Sequence, residues 1–321
     1  MTEAVLDPDL PICDAHHHLW DRPGDRYVLE DLRADTGAGH RVETTVFVEC
    51  MAGYLDDGPP QLRPVGETHF VVEQAEESAR TPGAEIAGIV GFADLDLGAA
   101  VAEVLEAHVD AGRGRFRGIR HASSWDPSPD VRRAHTRPPP GLLGRPSFRA
   151  GFAELGRLGL SFDAWLYHPQ LGELVDLARA HPDVTIVLDH LGAPLGVGPY
   201  AGRRDEVLAD WRSSMAEVAG CPNVVLKLGG IGMPLYGFDW HQRAEPPRSE
   251  ELAAAWRDPI RWCIERFGPD RCMFESNFPV DRVSCSYTVL WNAFQLIAAD
   301  LSPSERDSLF RGTAEAAYRL H

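Results

Sequence analysis

Eight times along this chain a short apolar, β-branched run is followed by a longer stretch of helical period. No other feature restricts the fold as much. The runs are Ile12–His16, Thr44–Cys50, Ile86–Ala93, Phe116–His121, Ser161–His168, Val184–His190, Asn223–Gly229 and Arg271–Ser276. Between them, Thr68–Arg80, Ala99–Asp110, Ser147–Leu158, Gln170–Ala180, Arg204–Ala219 and Glu250–Phe267 carry apolar residues three and four apart. Two further helices, Tyr287–Ala299 and Ser304–Arg319, close the sequence. VTIVLDH and TTVFVEC are almost unbroken Val, Ile, Leu and Phe, as strands are when both faces of a parallel sheet are covered. Eight β–α units with no repeat and no linker predict one α/β domain over residues 1–321, a closed (β/α)8 TIM barrel. A doubly wound open sheet fits less well, because no G-x-G-x-x-G follows the first strand, which ends instead in histidines.

Composition narrows the class of partner. The 321 residues are 44% hydrophobic and 25% charged, enough for a sizeable core. Thirty-one basic against 48 acidic residues give a formal charge of −17, which repels phosphate backbones and anionic lipid. No apolar run approaches the roughly 18–20 residues of a membrane span, and the first residues lack the regions of a secretory signal. The six cysteines are irregularly spaced with no C-x-x-C pair, so they read as reduced thiols. The expectation is a cytoplasmic protein acting on a small molecule, with no nucleic-acid or membrane partner and with homo-oligomerisation left open.

Four Pro/Gly-rich segments, Met51–Gly66, Ser123–Pro146, Leu191–Gly202 and Ile231–Arg248, follow the second, fourth, sixth and seventh strands. In a barrel these loops form the C-terminal rim, where active sites are built. Tyr54, Trp125, Tyr200, Tyr236, Phe238, Trp240 and His241 are their candidates for walling a pocket. Ionisable or polar groups end nearly every strand: His16 and His18, Glu49, His121, His168, His190, Lys227, then Glu275 and Asn277. Barrel interiors are ordinarily apolar and buried charges must be paired, so the joint pattern points to chemistry more strongly than any single member. Strand alternation puts Asp14, His16 and His18 on one face and Ala15 and His17 on the other. Asp189, beside His190, is expected to face the helix layer. His17, His40, His69, His108, His135, His181 and His321 read as ordinary loop, helix or outer-face residues. Arg132, Arg133, Arg137 and Arg145 read as solvated charges rather than a carboxylate clamp.

The segments DAHHHLWD (14–21), RGIRH (117–121), YHPQL (167–171), VLDHLGAP (187–194), NVVLKLGG (223–230) and MFESNFPVD (273–281) resemble the amidohydrolase superfamily, in its amidohydrolase-related branch of lactonases. The resemblance spans almost the whole chain and is specific in combination. It implies catalytic roles for His16, His18, His168 and His190, with Asn277 at the strand-eight position; Lys227 and Glu275 join them as catalytic candidates from their strand-end places. It also implies a divalent ion, zinc in many relatives, on His16, His18 and His168. The chain departs from the pattern where relatives read S-D-W-P: Asn277 replaces the aspartate that would bind metal and deprotonate water. An amide cannot act as a base, so either no metal is required or a weakly held divalent ion serves, with the metal-free reading slightly favoured. The function implied is hydrolysis of a lactone or similar cyclic ester. His16, His18 and Lys227 would stabilise the oxyanion, His190 or His168 would act as base, and Glu275 or Glu49 would stand in reserve. Glu49, His121, Trp125, Tyr236, Trp240 and His241 would contact substrate. A metal-dependent decarboxylase and an inactive ligand-binding barrel are the alternatives.

Overall fold

The computed structural model describes residues 3–320; His321 lies outside them. Eight parallel strands follow one another around a sheet in chain order: β1 (Pro11–His17), β2 (Arg41–Val48), β3 (Glu85–Gly91), β4 (Phe116–Arg120), β5 (Ser161–Ala164), β6 (Ile186–Leu188), β7 (Val224–Leu228) and β8 (Cys272–Phe274). The ring closes just beyond β8. His18 N–H donates to the Phe278 carbonyl (2.8 Å), Asn277 N–H donates to the His16 carbonyl (2.8 Å), and His17 bridges Phe278 in parallel. This is the (β/α)8 barrel that the alternation predicts.

Helices α1 (Leu29–Thr36), α2 (Val65–Arg80), α3 (Val101–Ala111), α4 (Pro146–Leu158), α5 (Leu171–Ala180), α6 (Arg204–Ala219), α7 (Ser249–Phe267) and α8 (Tyr287–Ile297) pack around the sheet. The short helix α1 and the Trp20–Tyr27 hairpin before it go beyond the sequence reading. The expected last helix is broken by a π turn at Ser308–Gly312 into Pro303–Asp307 and Thr313–Tyr318. Two apolar layers result. Ile186, Leu188, Leu226 and Phe274 face the helices, while Cys13, Ala15, Val46, Val48, Val90, Val187 and Met273 fill the barrel, closed off by Ala314, Ala317 and Tyr318. No helix among the described residues is long and apolar enough to cross a membrane. All six cysteines are free.

Candidate active site

A bulge decides which histidines enter the site. Asp14 pairs with Thr45 and His17 with Phe47, so β1 carries one residue more than β2 over this stretch. Below the bulge Cys13 and Ala15 point into the barrel; above it His16 and His18 do. The expected grouping of Asp14 with His16 and His18 is therefore corrected: Asp14 accepts from the Tyr287 hydroxyl (3.0 Å) on the helix side. His17 faces outward as expected, with Nε2 3.0 Å from Thr45 Oγ1.

His18 Nδ1–H donates to the Val48 carbonyl (2.7 Å), which leaves a lone pair on its Nε2, 3.2 Å from His16 Nε2. On its other side, His16 Nδ1 lies 2.8 Å from Glu275 Oε2 and 3.1 Å from Lys227 Nζ. With its proton on Nδ1, His16 opposes lone pair to lone pair with His18. With its proton on Nε2, it donates to His18 and its Nδ1 lone pair accepts from Lys227, with the Glu275 carboxylate beside it. Burial followed by the Lys227 ammonium holds His16 below its ordinary pKa.

Beneath the histidines lies a buried ionic layer. Lys227 Nζ donates to Asp163 Oδ2 (2.7 Å), which also accepts from the Tyr318 hydroxyl (2.6 Å), and lies 3.0 Å from Asp189 Oδ1. Arg120 pairs through Nε with Glu49 Oε1 (2.8 Å) and lies 3.4 Å from Asp189 Oδ2. Burial would push Asp189 up and Lys227 down. The Lys227 charge outweighs burial at Asp189, and Asp163 followed by Asp189 outweighs it at Lys227, so Asp189 titrates well below and Lys227 above its ordinary value. Asp163 is left, by burial, at about 6.

The placement of Asp189 corrects the expectation that it faces the helices. Val187 points inward and Asp189 two residues on does likewise. His190 should then point outward, but its backbone is left-handed (φ 54°), as is that of Leu191 (φ 56°). That turn swings the imidazole back over the barrel. Such conformations cost on the order of 1–3 kcal/mol each and persist where the surroundings impose them. His190 Nδ1 meets Glu275 Oε1 at 2.6 Å. Burial would raise Glu275, yet His190 and His16 together hold it at about 2. The Gly229–Gly230 pair after β7 makes room for this dyad: a Cβ at Gly230 would lie 2.5 Å from His190 Nδ1, and one at Gly229 would lie 2.2 Å from Glu275 Cγ.

Above the histidines opens a cavity of roughly 780 Å³. His18, Arg120, His190 and Asn277 reach it from the strand ends. Trp165 and Tyr167, Arg132 and Arg133, His135 and Met233 join them from the extension of β5 and the long loops. Asn277, with φ 54°, donates its Nδ2 to Asp281 Oδ1 (2.8 Å), while Asp281 Oδ2 accepts from Gly232 N–H (2.7 Å). His16, Lys227 and Glu275 lie beneath the cavity wall, fully buried.

Several expected residues stand elsewhere. Strand β5 stops at Ala164, so His168 begins a 3-10 turn; its Nδ1 accepts from Leu195 N–H (3.2 Å) and its ring meets Tyr200, away from the His16 group. The His121 ring packs on Phe92 and Phe148, on the helix side. Trp125 lies under Arg133, Trp240 stacks on Phe238, His241 is exposed, and Tyr236 donates its hydroxyl to the His190 carbonyl (3.0 Å) from behind. Glu49 backs the wall, its Oε2 3.0 Å from His135 Nε2. The sequence reading passed over Arg120 and Asp163, turned Asp189 toward the helices and took His135 for an ordinary residue. The signal for the first three was their strand-end position; His135, on a long loop, gave none.

The donor set suits a divalent cation. His16, His190 and Glu275 offer ligand atoms within 4.8 Å of one another, and the buried Glu275 Oε2, 2.8 Å from His16 Nδ1, accepts no well-aligned hydrogen bond.

A parallel barrel with histidines and carboxylates gathered at its C-terminal mouth is a site that can carry acid–base chemistry, and the comparisons supply its class. The profile described as Amidohydrolase matches residues 13–320: this chain belongs to that family and is an enzyme of hydrolase type. It is 34% identical to the uncharacterized protein y4mH of Sinorhizobium fredii, over 97% of this chain and 99% of that one. It is 32% identical to an L-fucono-1,5-lactonase of Burkholderia multivorans, over 79% and 77%. A crystal structure of a Burkholderia multivorans amidohydrolase with bound zinc superposes with a TM-score of 0.74 at 26% identity, covering 97% of this chain and 99% of that one.

Proposed function

We propose that this enzyme opens a lactone ring, or a similarly activated cyclic ester, by attack of water at the barrel mouth. The observation that carries the reading is the His190–Glu275 pair at the base of the cavity. Glu275 is ionised and takes the Nδ1 proton, which turns the Nε2 lone pair outward. That nitrogen can accept the proton of an attacking water. Arg120, fixed by Glu49, lines the cavity and offers a permanent positive charge for the developing oxyanion. Asn277, its amide nitrogen tied to Asp281, leaves its carbonyl oxygen to orient water or substrate. The lactonases among the relatives favour the same reaction class.

Where a divalent ion is bound, zinc foremost, His16, His190 and Glu275 with His18 Nε2 beside them would hold it, and His190 would then be a ligand and not the base. Such an ion polarises a carbonyl and acidifies bound water. Arg22, Arg132 and Arg133 line the cavity with Asp130 as their one acidic neighbour there, so a substrate bearing a carboxylate is favoured over a neutral one.

The test is turnover on a panel of neutral and carboxylated lactones, before and after chelation, with the zinc content of the purified protein measured alongside. His16→Ala and His18→Ala should each lower turnover by at least ~100-fold while the protein stays folded. Near-normal rates in either variant would show that these rings only pack the barrel. An enzyme inert on every lactone that releases CO2 from aromatic acids would replace this reading with decarboxylation.

A further inference from the structure

Water attack needs one proton removed; expelling the ring oxygen needs one supplied. The site holds a second carboxylate–imidazole pair. We infer that His135 is the general acid that protonates the leaving oxygen, an inference that rests on the lactone-hydrolase reading. Glu49 is fully buried and fixed by Arg120 on Oε1; its Oε2 lies 3.0 Å from His135 Nε2. Glu49 is ionised: burial would raise it, but Arg120 and His135 bring it below its ordinary value. It therefore takes the Nε2 proton and turns Nδ1 away from the wall. The imidazole lines the same cavity as His190, with 29% of its side chain exposed.

The loop around His135 is tied down. Ala134 N–H donates to the Ser124 carbonyl (3.1 Å), Arg137 N–H donates to the Ala134 carbonyl (3.0 Å), and the Tyr167 hydroxyl donates to the Arg132 carbonyl. A solvated loop histidine needs neither a buried carboxylate nor this bracing.

The step balances. Water oxygen bonds to the carbonyl carbon and its proton passes to His190 Nε2. The ring C–O bond then breaks, its electron pair stays on the ring oxygen, and that oxygen takes the Nδ1 proton of cationic His135. Exchange with solvent returns one proton from His190 and restores one to His135, so one water is consumed.

A general acid matters in proportion to the basicity of the leaving group. His135→Asn should therefore cut kcat on the aliphatic δ-valerolactone by ~10²- to 10⁴-fold. On dihydrocoumarin, whose leaving group is a phenoxide, the loss should stay under ~10-fold. Added imidazole should restore valerolactone turnover in His135→Ala, and circular dichroism melts check that both variants fold. Equal losses on the two lactones, or no loss on either, would overturn the role while leaving the lactonase reading intact. A wild type inert on these two and on every carboxylated lactone of the panel would instead overturn the lactonase reading and this role with it.

Discussion

Asn277 stands where the resemblance implies an aspartate, and the neighbour that receives its amide decides what a simple reversal would meet. Asp281 Oδ1 accepts the Asn277 Nδ2 hydrogen at 2.8 Å, and burial raises Asp281 to about 7. Asn277→Asp would set two carboxylates in contact, and like charges so close hold one proton between them. The new aspartate would bind zinc only if Asp281 stayed protonated. We expect Asn277→Asp to melt at a lower temperature than wild type and the swap Asn277→Asp/Asp281→Asn to regain most of the loss. A double variant no more stable than the single one would refute the pairing. The zinc content of the swap, which frees the carboxylate from its competitor, is the measurement that speaks to metal. Asn277→Ala should cost only about 0.5–1.5 kcal/mol, the net worth of one hydrogen bond.

Among elements, α2 is tied to the loop after β2 by Glu67, in the helix's first turn. Its Oε1 accepts from the N–H groups of Cys50 and Ala52, both at 2.8 Å. Burial, then the charge of Glu49, raises Glu67 from 4.5 to about 8. The folded chain thus holds a proton that the unfolded chain has lost between those values. This carboxyl's contribution to stability is full below about 4.5 and is lost as pH rises through about 8. Glu67→Gln, which cannot ionise, should flatten the decline in urea midpoint across that window; parallel wild-type and variant profiles would refute it. The elements also mark how far the sequence could be read. Eight strands, their order and the polar strand ends were legible because buried parallel strands are written in β-branched runs and charges there stand out. Side-chain facing was not, because alternation assumes an unbroken strand. One extra residue in β1 reversed the parity of Asp14; in β6 alternation from Val187 carries Asp189 inward, and the left-handed backbone brings the His190 ring over the barrel as well. His168 was misjudged for a related reason: β5 ends at Ala164, four residues sooner than its apolar run.

Across the whole molecule, the barrel's upper interior is ionic where apolar filling is usual, and Lys227 is its central cation. Removing one member of a buried ion group strands the others, at about 3–5 kcal/mol. Lys227→Met leaves Asp163 and Asp189 facing each other without compensation, and we expect a loss of that order in chemical denaturation. A variant as stable as wild type would mean the carboxyls simply take up protons. The barrel's closure carries a different kind of consequence. The ring is sealed by Asn277 and His18, each bonding across to the other strand's end, and Ser276 Oγ reaches the His16 carbonyl 260 residues back along the chain. The groups that complete the circle also fix the first strand's histidines in position. A nascent chain must therefore be almost wholly synthesised before those histidines are set, and a chain pulled open at this junction would lose that setting while all eight strands stay joined through seven pairings.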